Sequence, residues 1–313
     1  MSRRSLALFG LLALSCAGAT ASAQDLQLPN ARASVKFAVI GDSGTGLPPQ
    51  YEVAVQMVRA HQTFAFDRVI MLGDNIYGGQ TPTDLEKKFA QPYKPLIDAG
   101  VIFYAALGNH DSPNNRLYGL FHMMDQRYYT YAVKNVRFFV LDTDSLDPQQ
   151  LVWLERVLKS AEESWKICYF HHPLYSDGAT HGPDVNLRVV LEPLFVKYGV
   201  NVVFTGHEHF YERIKPQKGI AYFIAGSSAK LREGNIAESA LEDKGFDTGY
   251  TFMLVEIVGD DMYYQALTDT GKTVDSGSIH RVGKVEPTPN RTAQPVVPTT
   301  GNGKKLPPAG DRK

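Results

Sequence analysis

The sequence contains very little cysteine, since only Cys16 and Cys168 occur in its 313 residues. This scarcity argues against a structural zinc site built from thiolates. If the N-terminal segment is removed on export, Cys168 remains alone and no internal disulfide can form. Cys168 lies between Ile167 and Tyr169 in an apolar run. We therefore predict that it is a small buried side chain without a chemical role.

The sequence also lacks an excess of charge of one sign, since 32 Lys and Arg residues nearly balance 33 Asp and Glu residues. A formal net charge of −1 creates no positive field that would attract nucleic acid or an anionic membrane. The composition is typical of a globular protein. We expect a monomer that acts on a small molecule or a phosphate ester and has no nucleic-acid partner.

Long apolar runs are absent except at the N-terminus. Arg3 and Arg4 precede an apolar stretch over residues 6–15, and Ala21-Ser22-Ala23 follows it. This pattern predicts a signal peptide over residues 1–23 and export to the periplasm or the medium. No later stretch offers about twenty consecutive apolar residues, so no membrane span is predicted. An uncleaved anchor and a lipoprotein linked through Cys16 are the alternatives.

Short apolar runs alternate with stretches of helical period from Val35 onward, which predicts an α/β fold. Residues 24–34 form a lead-in, residues 35–282 a single domain, and residues 283–313 a Pro-rich disordered tail. The apolar runs predict strands over residues 35–40, 68–72, 101–106, 136–141, 166–170 and 202–205, and later over 221–225, 250–257, 262–267 and 274–280.

Two helices and one hairpin complete the expected fold. Helices are predicted over residues 148–160 and 184–198, the first after Asp147. Residues 128–133 and 136–141, joined by Lys134 and Asn135, resemble a hairpin, so the sheet cannot be purely parallel. We predict a sandwich of two mixed β-sheets flanked by helices.

Polar motifs follow five of the predicted strands. The carboxyl ends of strands lie at one edge of a sheet, so residues that are distant in sequence can converge there. Glycines in these motifs permit sharp turns and close backbone approach. The motifs are Gly41-Asp42, Gly73-Asp74-Asn75-Ile76-Tyr77, Gly108-Asn109-His110-Asp111, His171-His172-Pro173 and Gly206-His207-Glu208-His209.

The polar side chains of these motifs are suited to metal binding. Carboxylate, amide oxygen and imidazole suit iron, zinc and manganese. Seven ligands are too many for one ordinary site, but they give two ions four ligands each if one carboxylate bridges. His207 and His209 are two positions apart, and on an extended segment they would point the same way. The candidate ligands are Asp42, Asp74, Tyr77, Asn109, His171, His207 and His209.

Each motif also has an ordinary structural interpretation. A Gly-Asp pair after a strand is often a turn or a helix cap. His171 can be a buried histidine beside a loop bend, and Tyr77 can be a core residue next to Ile76. The five motifs in one order at strand ends favour the metal site.

The order of the motifs resembles the metallophosphoesterase superfamily over residues 35–281, and Tyr77, three residues after Asp74, resembles the purple acid phosphatases. This resemblance implies an acid phosphatase that hydrolyses phosphate monoesters with a metal-bound hydroxide and without a phosphoenzyme. Its cofactors would be Fe(III) and a divalent ion (Fe, Zn or Mn). It implies a ferric site of Asp42, Asp74, Tyr77 and His209 and a divalent site of Asp74, Asn109, His171 and His207, with Asp74 bridging.

The resemblance also implies two catalytic histidines. His110 would contact the substrate phosphate and protonate the leaving oxygen, and His181 would be a second such histidine. The sequence departs from the small mammalian-type enzymes at Ser43, where they have tryptophan, and residues 207–213 look closer to the plant-type enzymes. A phosphodiesterase of the same superfamily and a non-catalytic metal-dependent phosphate-binding module remain alternatives.

Overall fold

The computed structural model describes residues 25–281 except residue 238. The predicted signal peptide and Pro-rich tail lie outside these residues, so both stay predictions. Within the described range, no helix is long and apolar enough to cross a bilayer. The strands, numbered in chain order, are β1 (Val35–Ile40), β2 (Arg68–Met71), β3 (Ile102–Ala105), β4 (Tyr129–Val133), β5 (Val136–Val140), β6 (Trp165–Tyr169), β7 (Val202–Thr205), β8 (Tyr211–Gln217), β9 (Ile220–Ala225), β10 (Glu242–Phe246), β11 (Thr251–Val258), β12 (Asp261–Thr268) and β13 (Thr273–His280).

Two of the helices begin after an aspartate that caps the helix N-terminus. The carboxylates of Asp147 and Asp184 accept hydrogen bonds from the N–H groups of Gln150 and Leu187, which would otherwise be unpaired. The helices are α1 (Pro48–Thr63), α2 (Pro82–Leu85), α3 (Gln91–Asp98), α4 (Pro148–Ser160) and α5 (Val185–Tyr198), with a π-helical turn (Glu86–Ala90) and 3₁₀ turns (Pro113–Leu117 and Gly119–Phe121).

The strands form two mixed sheets, as the sequence predicts. The first sheet has the order β13-β12-β11-β1-β2-β3, and the second has the order β10-β8-β9-β7-β6-β5-β4. Strands β1, β2 and β3 are parallel to one another. Strands β5, β6, β7 and β9 are also parallel to one another. Each sheet therefore has one edge at which several strands end together.

The main hydrophobic core lies between the two sheets. The ring of Phe37 on β1 meets Phe138 on β5 at 5.4 Å and Phe204 on β7 at 6.1 Å, both edge to face. Such aromatic pairs stabilise a core beyond the area that they bury. A second cluster joins the outer face of the second sheet to α4 and α5. Cys168 is fully buried in this cluster, as predicted.

Most of the predicted elements are confirmed, with bounds that shift by one or two residues. The strand over residues 35–40 and the helix over 148–160 are found with their predicted bounds, and the hairpin of β4 and β5 is confirmed. Two strands, β8 and β10, and the helices α1 to α3 were not predicted. Strand β8 contains Lys215 and Pro216, and β10 is a polar edge strand with Gly245, so neither carries a strong strand signal.

Candidate metal centre

The site lies where the parallel strands of the two sheets end. Asp42, Asp74 and Asn109 follow β1, β2 and β3, and His171 and His207 follow β6 and β7. Hydrogen bonds between the loops hold them together. The N–H of Asp42 donates to the carbonyl of Gly73, and the N–H of His207 donates to Asp42 Oδ2. The seven predicted ligands converge at this edge.

Asp42, Tyr77 and His209 form the first group of side chains. The Tyr77 hydroxyl donates to Asp42 Oδ1 at 3.1 Å and lies 3.3 Å from His209 Nε2. His209 Nε2 lies 3.4 Å from Asp42 Oδ1. One ligand atom each from Asp42, Asp74 and His209 falls within 4.8 Å of the others. These residues are the set predicted for the ferric ion.

His171 is the centre of the second group. Its Nε2 atom lies 3.0 Å from Asn109 Oδ1, 3.1 Å from His207 Nδ1 and 3.5 Å from Asp74 Oδ1. Asp74 thus borders both groups, which is the position that a bridging carboxylate needs. His172 lies beside this group as well, although its Nδ1 atom pairs with the Thr143 hydroxyl at 2.9 Å.

The backbone of this edge adopts unusual conformations. Asp42, Asp74 and His207 have φ angles of 54°, 51° and 70°. Non-glycine residues rarely adopt the left-handed region, and such strain is concentrated at functional sites. The expectation of an extended segment at His207 and His209 was wrong for this reason. The turn sends the two imidazoles into different groups, His207 toward His171 and His209 toward Asp42.

Two glycines permit the close approach of the loops. A Cβ atom on Gly73, which has a φ of 93°, would lie 2.6 Å from His171 Nδ1. A Cβ atom on Gly108 would lie 2.4 Å from the Asp74 nitrogen and from Asp74 Oδ1. Real Cβ contacts are longer than this, so a larger residue at either position would displace a candidate ligand.

Burial sets the protonation of the site. It lowers the pKa of His171 well below the usual range, and it lowers the pKa of His207 to about 2. Burial, followed by the positive charges of Arg232 and Lys230, lowers the pKa of His209 to about 4. The imidazoles are therefore neutral near pH 7, and neutral imidazole is the form that binds metal.

The acidic side chains require a compensating cation. Burial and the neighbouring charge of Asp74 raise the pKa of Asp42 well above its usual range, and burial followed by Asp42 raises that of Tyr77. Two almost fully buried carboxylates next to a phenol are costly without positive charge. Neutral imidazoles and an amide oxygen complete the set. This donor chemistry fits two metal ions, and the role of each residue as a ligand stays a prediction.

The two predicted catalytic histidines lie at the rim of the site. The exposed His110 ring lies 4.7 Å from the Tyr77 ring, and the His110 N–H donates to Asp74 Oδ1 at 2.9 Å. The exposed His181 ring lies 4.3 Å from the His207 ring. Their imidazoles can reach a group bound between them, although their roles stay predictions.

Two buried carboxylates support the site and were missed by sequence reasoning. Glu208, fully buried, accepts hydrogen bonds from the N–H groups of His181 and Gly182 and from the side chain of Asn235. It thereby fixes the loop that carries His181. Asp111 accepts hydrogen bonds from the loops of Asn75 and Gly108. Their positions inside the Gly-His-Glu-His and Gly-Asn-His-Asp motifs were the available signal.

The fold and the site together define a metallophosphoesterase. The chain belongs to the calcineurin-like phosphoesterase family, which it matches over residues 35–211. It is 27% identical over 295 residues to purple acid phosphatase 4 of Arabidopsis thaliana, covering 79% of this chain and 87% of that protein. It is 26% identical over 238 residues to rabbit (Oryctolagus cuniculus) tartrate-resistant acid phosphatase type 5, covering 62% of this chain and 73% of that protein.

Solved structures share the fold. Purple acid phosphatase PPD1 from yellow lupin (Lupinus luteus) superposes with a TM-score of 0.67 at 19% identity, covering 81% of this chain and 55% of that one. GAP50, described as the anchor in the inner membrane complex of Plasmodium, superposes with a TM-score of 0.70 at 17% identity, covering 80% of this chain and 90% of that one. The predicted sandwich fold, the resemblance to purple acid phosphatases and the prediction of a phosphoesterase enzyme are confirmed.

Proposed function

We propose that this protein is an acid phosphatase of the purple type, which hydrolyses phosphate monoesters with Fe(III) and a divalent ion. One observation carries the proposal. The phenol oxygen of Tyr77 lies 3.1 Å from Asp42 Oδ1 and 3.3 Å from His209 Nε2, inside the first group of candidate ligands. A tyrosine that served only for core packing would not direct its hydroxyl into a cluster of metal-binding side chains.

The residues divide into two sets around Asp74. Asp42, Tyr77 and His209 would hold the ferric ion with Asp74, and a separate set of Asn109, His171 and His207 would hold the divalent ion with it. Two bound ions would act as Lewis acids toward the phosphoryl oxygens. They would also lower the pKa of a water molecule, so that hydroxide is available to attack phosphorus near neutral pH. The ions would also balance the buried carboxylates described above.

His110, beside Tyr77, and His181, beside His207, would act on the substrate from the rim of the site. The backbone bond to Asp74 holds His110 in place, and the Glu208 carboxylate holds the backbone of His181. Water would lose a proton to solvent, and the resulting hydroxide would add its oxygen to phosphorus while the bond from phosphorus to the alcohol oxygen breaks. His110 would give that alcohol oxygen a proton and regain one from solvent. His181 would contact the phosphoryl group. No serine or cysteine nucleophile is needed.

The first test combines a visible absorption spectrum with metal analysis of the purified protein. We expect a purple tyrosinate-to-iron band, about two metal ions per chain, and hydrolysis of para-nitrophenyl phosphate. Tyr77→Phe should lose the band, whereas the control Tyr51→Phe should keep it, because Tyr51 donates to the Lys87 carbonyl outside the site. A colourless protein that cleaves bis-para-nitrophenyl phosphate would instead identify a phosphodiesterase, and a metal-free inactive protein would favour a binding module.

The second test addresses the proton donor. His110→Ala should keep both metal ions and lower kcat by about 100-fold or more, since general acid catalysis contributes factors of this size. His280→Ala is the matched control, because the side chain of His280 is 70% exposed and pairs with Asp261. Unchanged turnover in His110→Ala would remove His110 from the mechanism.

We also propose that the protein is exported, on the evidence of the N-terminal pattern of Arg3, Arg4, an apolar stretch and Ala21-Ser22-Ala23. Cell fractionation with N-terminal sequencing tests this. A mature chain that starts near Gln24 is expected, and an intact Met1 in the cytoplasm would contradict the proposal.

A further inference from the structure

The loop after β9, residues 226–232, is a further strand-end loop at the edge that carries the metal centre. Strand β9 is parallel to β7, so this loop lies beside the one that carries His207. Two backbone hydrogen bonds fix it. The N–H of Ser228 donates to the Gly41 carbonyl, and the N–H of Arg232 donates to the His209 carbonyl at 3.0 Å. The loop is therefore anchored to both sides of the first ligand group.

Lys230 of this loop faces the site. Its ammonium nitrogen lies 4.7 Å from the centre of the Tyr77 ring, and the side chain is half-buried. Between residues 25 and 281, no described carboxylate or carbonyl accepts a hydrogen bond from this ammonium. Lys88 makes a useful contrast, since its ammonium donates to two carbonyls and pairs with Asp84. The charge of Lys230 is therefore available to a ligand.

Arg232 is the second cation of the loop. Its Nη1 atom lies 3.7 Å from Glu208 Oε2, which is beyond hydrogen-bond distance. Glu208 already accepts from the backbone of His181 and Gly182. The Nη1 atom is buried and has no hydrogen-bond partner in the described part of the chain. Because the side chain is 29% exposed, the guanidinium can still meet a group at the rim of the site.

A single phosphoryl group does not account for these two cations. Under the proposed function, two metal ions, His110 and His181 would already supply the positive charge and donors that one reacting phosphoryl group needs. A half-buried cation without a hydrogen-bonded anion is unfavourable, and a bound anion would relieve this. We propose that Lys230 and Arg232 form a subsite for a second anionic group of the substrate, a phosphoryl or a carboxylate attached next to the reacting phosphoryl group. This inference rests on the proposed phosphatase function.

The test compares substrates that differ in the second anion. Para-nitrophenyl phosphate has one anionic group, whereas inorganic pyrophosphate and 2-phosphoglycolate have two. Lys230→Gln should lower kcat/KM by about 10- to 100-fold for the substrates with two anions, the range expected for one charge-assisted hydrogen bond. The loss for para-nitrophenyl phosphate should stay below about threefold. Losses confined to pyrophosphate or to phosphoglycolate would identify the second anion as phosphoryl or carboxylate.

Two further variants test whether the effect is specific to this loop. Lys94→Gln removes the same charge from an exposed lysine that pairs with Asp98. It should leave the ratios of kcat/KM between the three substrates unchanged. Arg232→Gln should act like Lys230→Gln, but it also removes the contact with Glu208. Lys230→Gln therefore decides the outcome, because among the described residues the Lys230 ammonium is paired with no carboxylate. Equal losses on all three substrates in Lys230→Gln would overturn the proposal.

A binding measurement separates this subsite from the proposed function. Calorimetry on the metal-loaded protein compares methylenediphosphonate with methylphosphonate, neither of which is hydrolysed. The preference for the diphosphonate is the Kd of methylphosphonate divided by the Kd of methylenediphosphonate. We expect this ratio to fall about 10-fold or more in Lys230→Gln. An unchanged preference overturns the subsite, whatever the turnover. A wild-type protein without turnover on any substrate, but with a preference that depends on Lys230, would overturn only the proposed function.

Discussion

Replacing Asp111 by asparagine tests how the loops of the metal centre are held. Asp111 Oδ2 accepts hydrogen bonds from the backbone N–H of Asn75 at 3.1 Å and of Gly108 at 2.9 Å, and from the Asn75 side chain at 2.8 Å. Asp111 Oδ1 accepts from the N–H of Ile76 at 3.0 Å and from Asn115 Nδ2 at 3.3 Å. All five partners are donors, so both oxygens must accept.

The size of the effect follows from these contacts. An asparagine retains one accepting oxygen, and its NH₂ group must face the donors at the other position. The better orientation keeps the three bonds at Oδ2 and leaves the Ile76 N–H without an acceptor, while the Asn115 amide can rotate. A buried unpaired N–H costs about 1–3 kcal/mol, and the remaining bonds lose their charge assistance. Asp111→Asn should therefore lower the free energy of unfolding by about 2–5 kcal/mol.

Urea unfolding of the wild type and of Asp111→Asn measures the difference in their free energies of unfolding. Both are unfolded at the same metal concentration, because a metal that binds the folded state raises the apparent stability. Asp98→Asn is the matched control. Its carboxylate is 58% exposed and pairs only with Lys94 among the described residues, so the change should stay below about 0.5 kcal/mol. A loss below about 1 kcal/mol in Asp111→Asn would refute the argument.

Three further predictions concern the glycine turn, the core and a buried acid. Gly73→Ala should lower metal content and turnover, measured by metal analysis and para-nitrophenyl phosphate hydrolysis, because its Cβ would meet His171; normal values would contradict this. Phe37→Ala should cost about 3–5 kcal/mol in urea unfolding, since the fully buried ring packs between the sheets; a cost below about 1 kcal/mol would show that the cavity collapses. Burial raises the pKa of Glu212 from 4.5 to about 8. The unfolded chain therefore loses this proton first, and stability falls between these two pH values. The free energy of unfolding of Glu212→Gln should match that of the wild type near pH 5 and exceed it by on the order of 3 kcal/mol near pH 9. If the two free energies of unfolding change in parallel with pH, the prediction is wrong.

The sequence by itself determined the elements with strong local signals. The apolar run over residues 35–40 and the helix after Asp147 were predicted with their observed bounds, because strand and helix signals depend on neighbouring residues. The order of the strand-end motifs was also visible in the sequence. It was sufficient to predict the family and the set of side chains that meet at the site.

The family resemblance implied how these side chains divide between two ions, but only the tertiary structure showed the backbone turn that separates them and the residues that support them. The left-handed turn at His207 sends two neighbouring histidines into different groups, although an extended segment would direct them together. Lys230 meets Tyr77, which is distant in sequence, because the loop after β9 in the second sheet is hydrogen-bonded to the loop after β1 in the first, through the Ser228 N–H and the Gly41 carbonyl. Such contacts depend on which strands pair and how the two sheets face each other. No local pattern in the chain encodes that pairing.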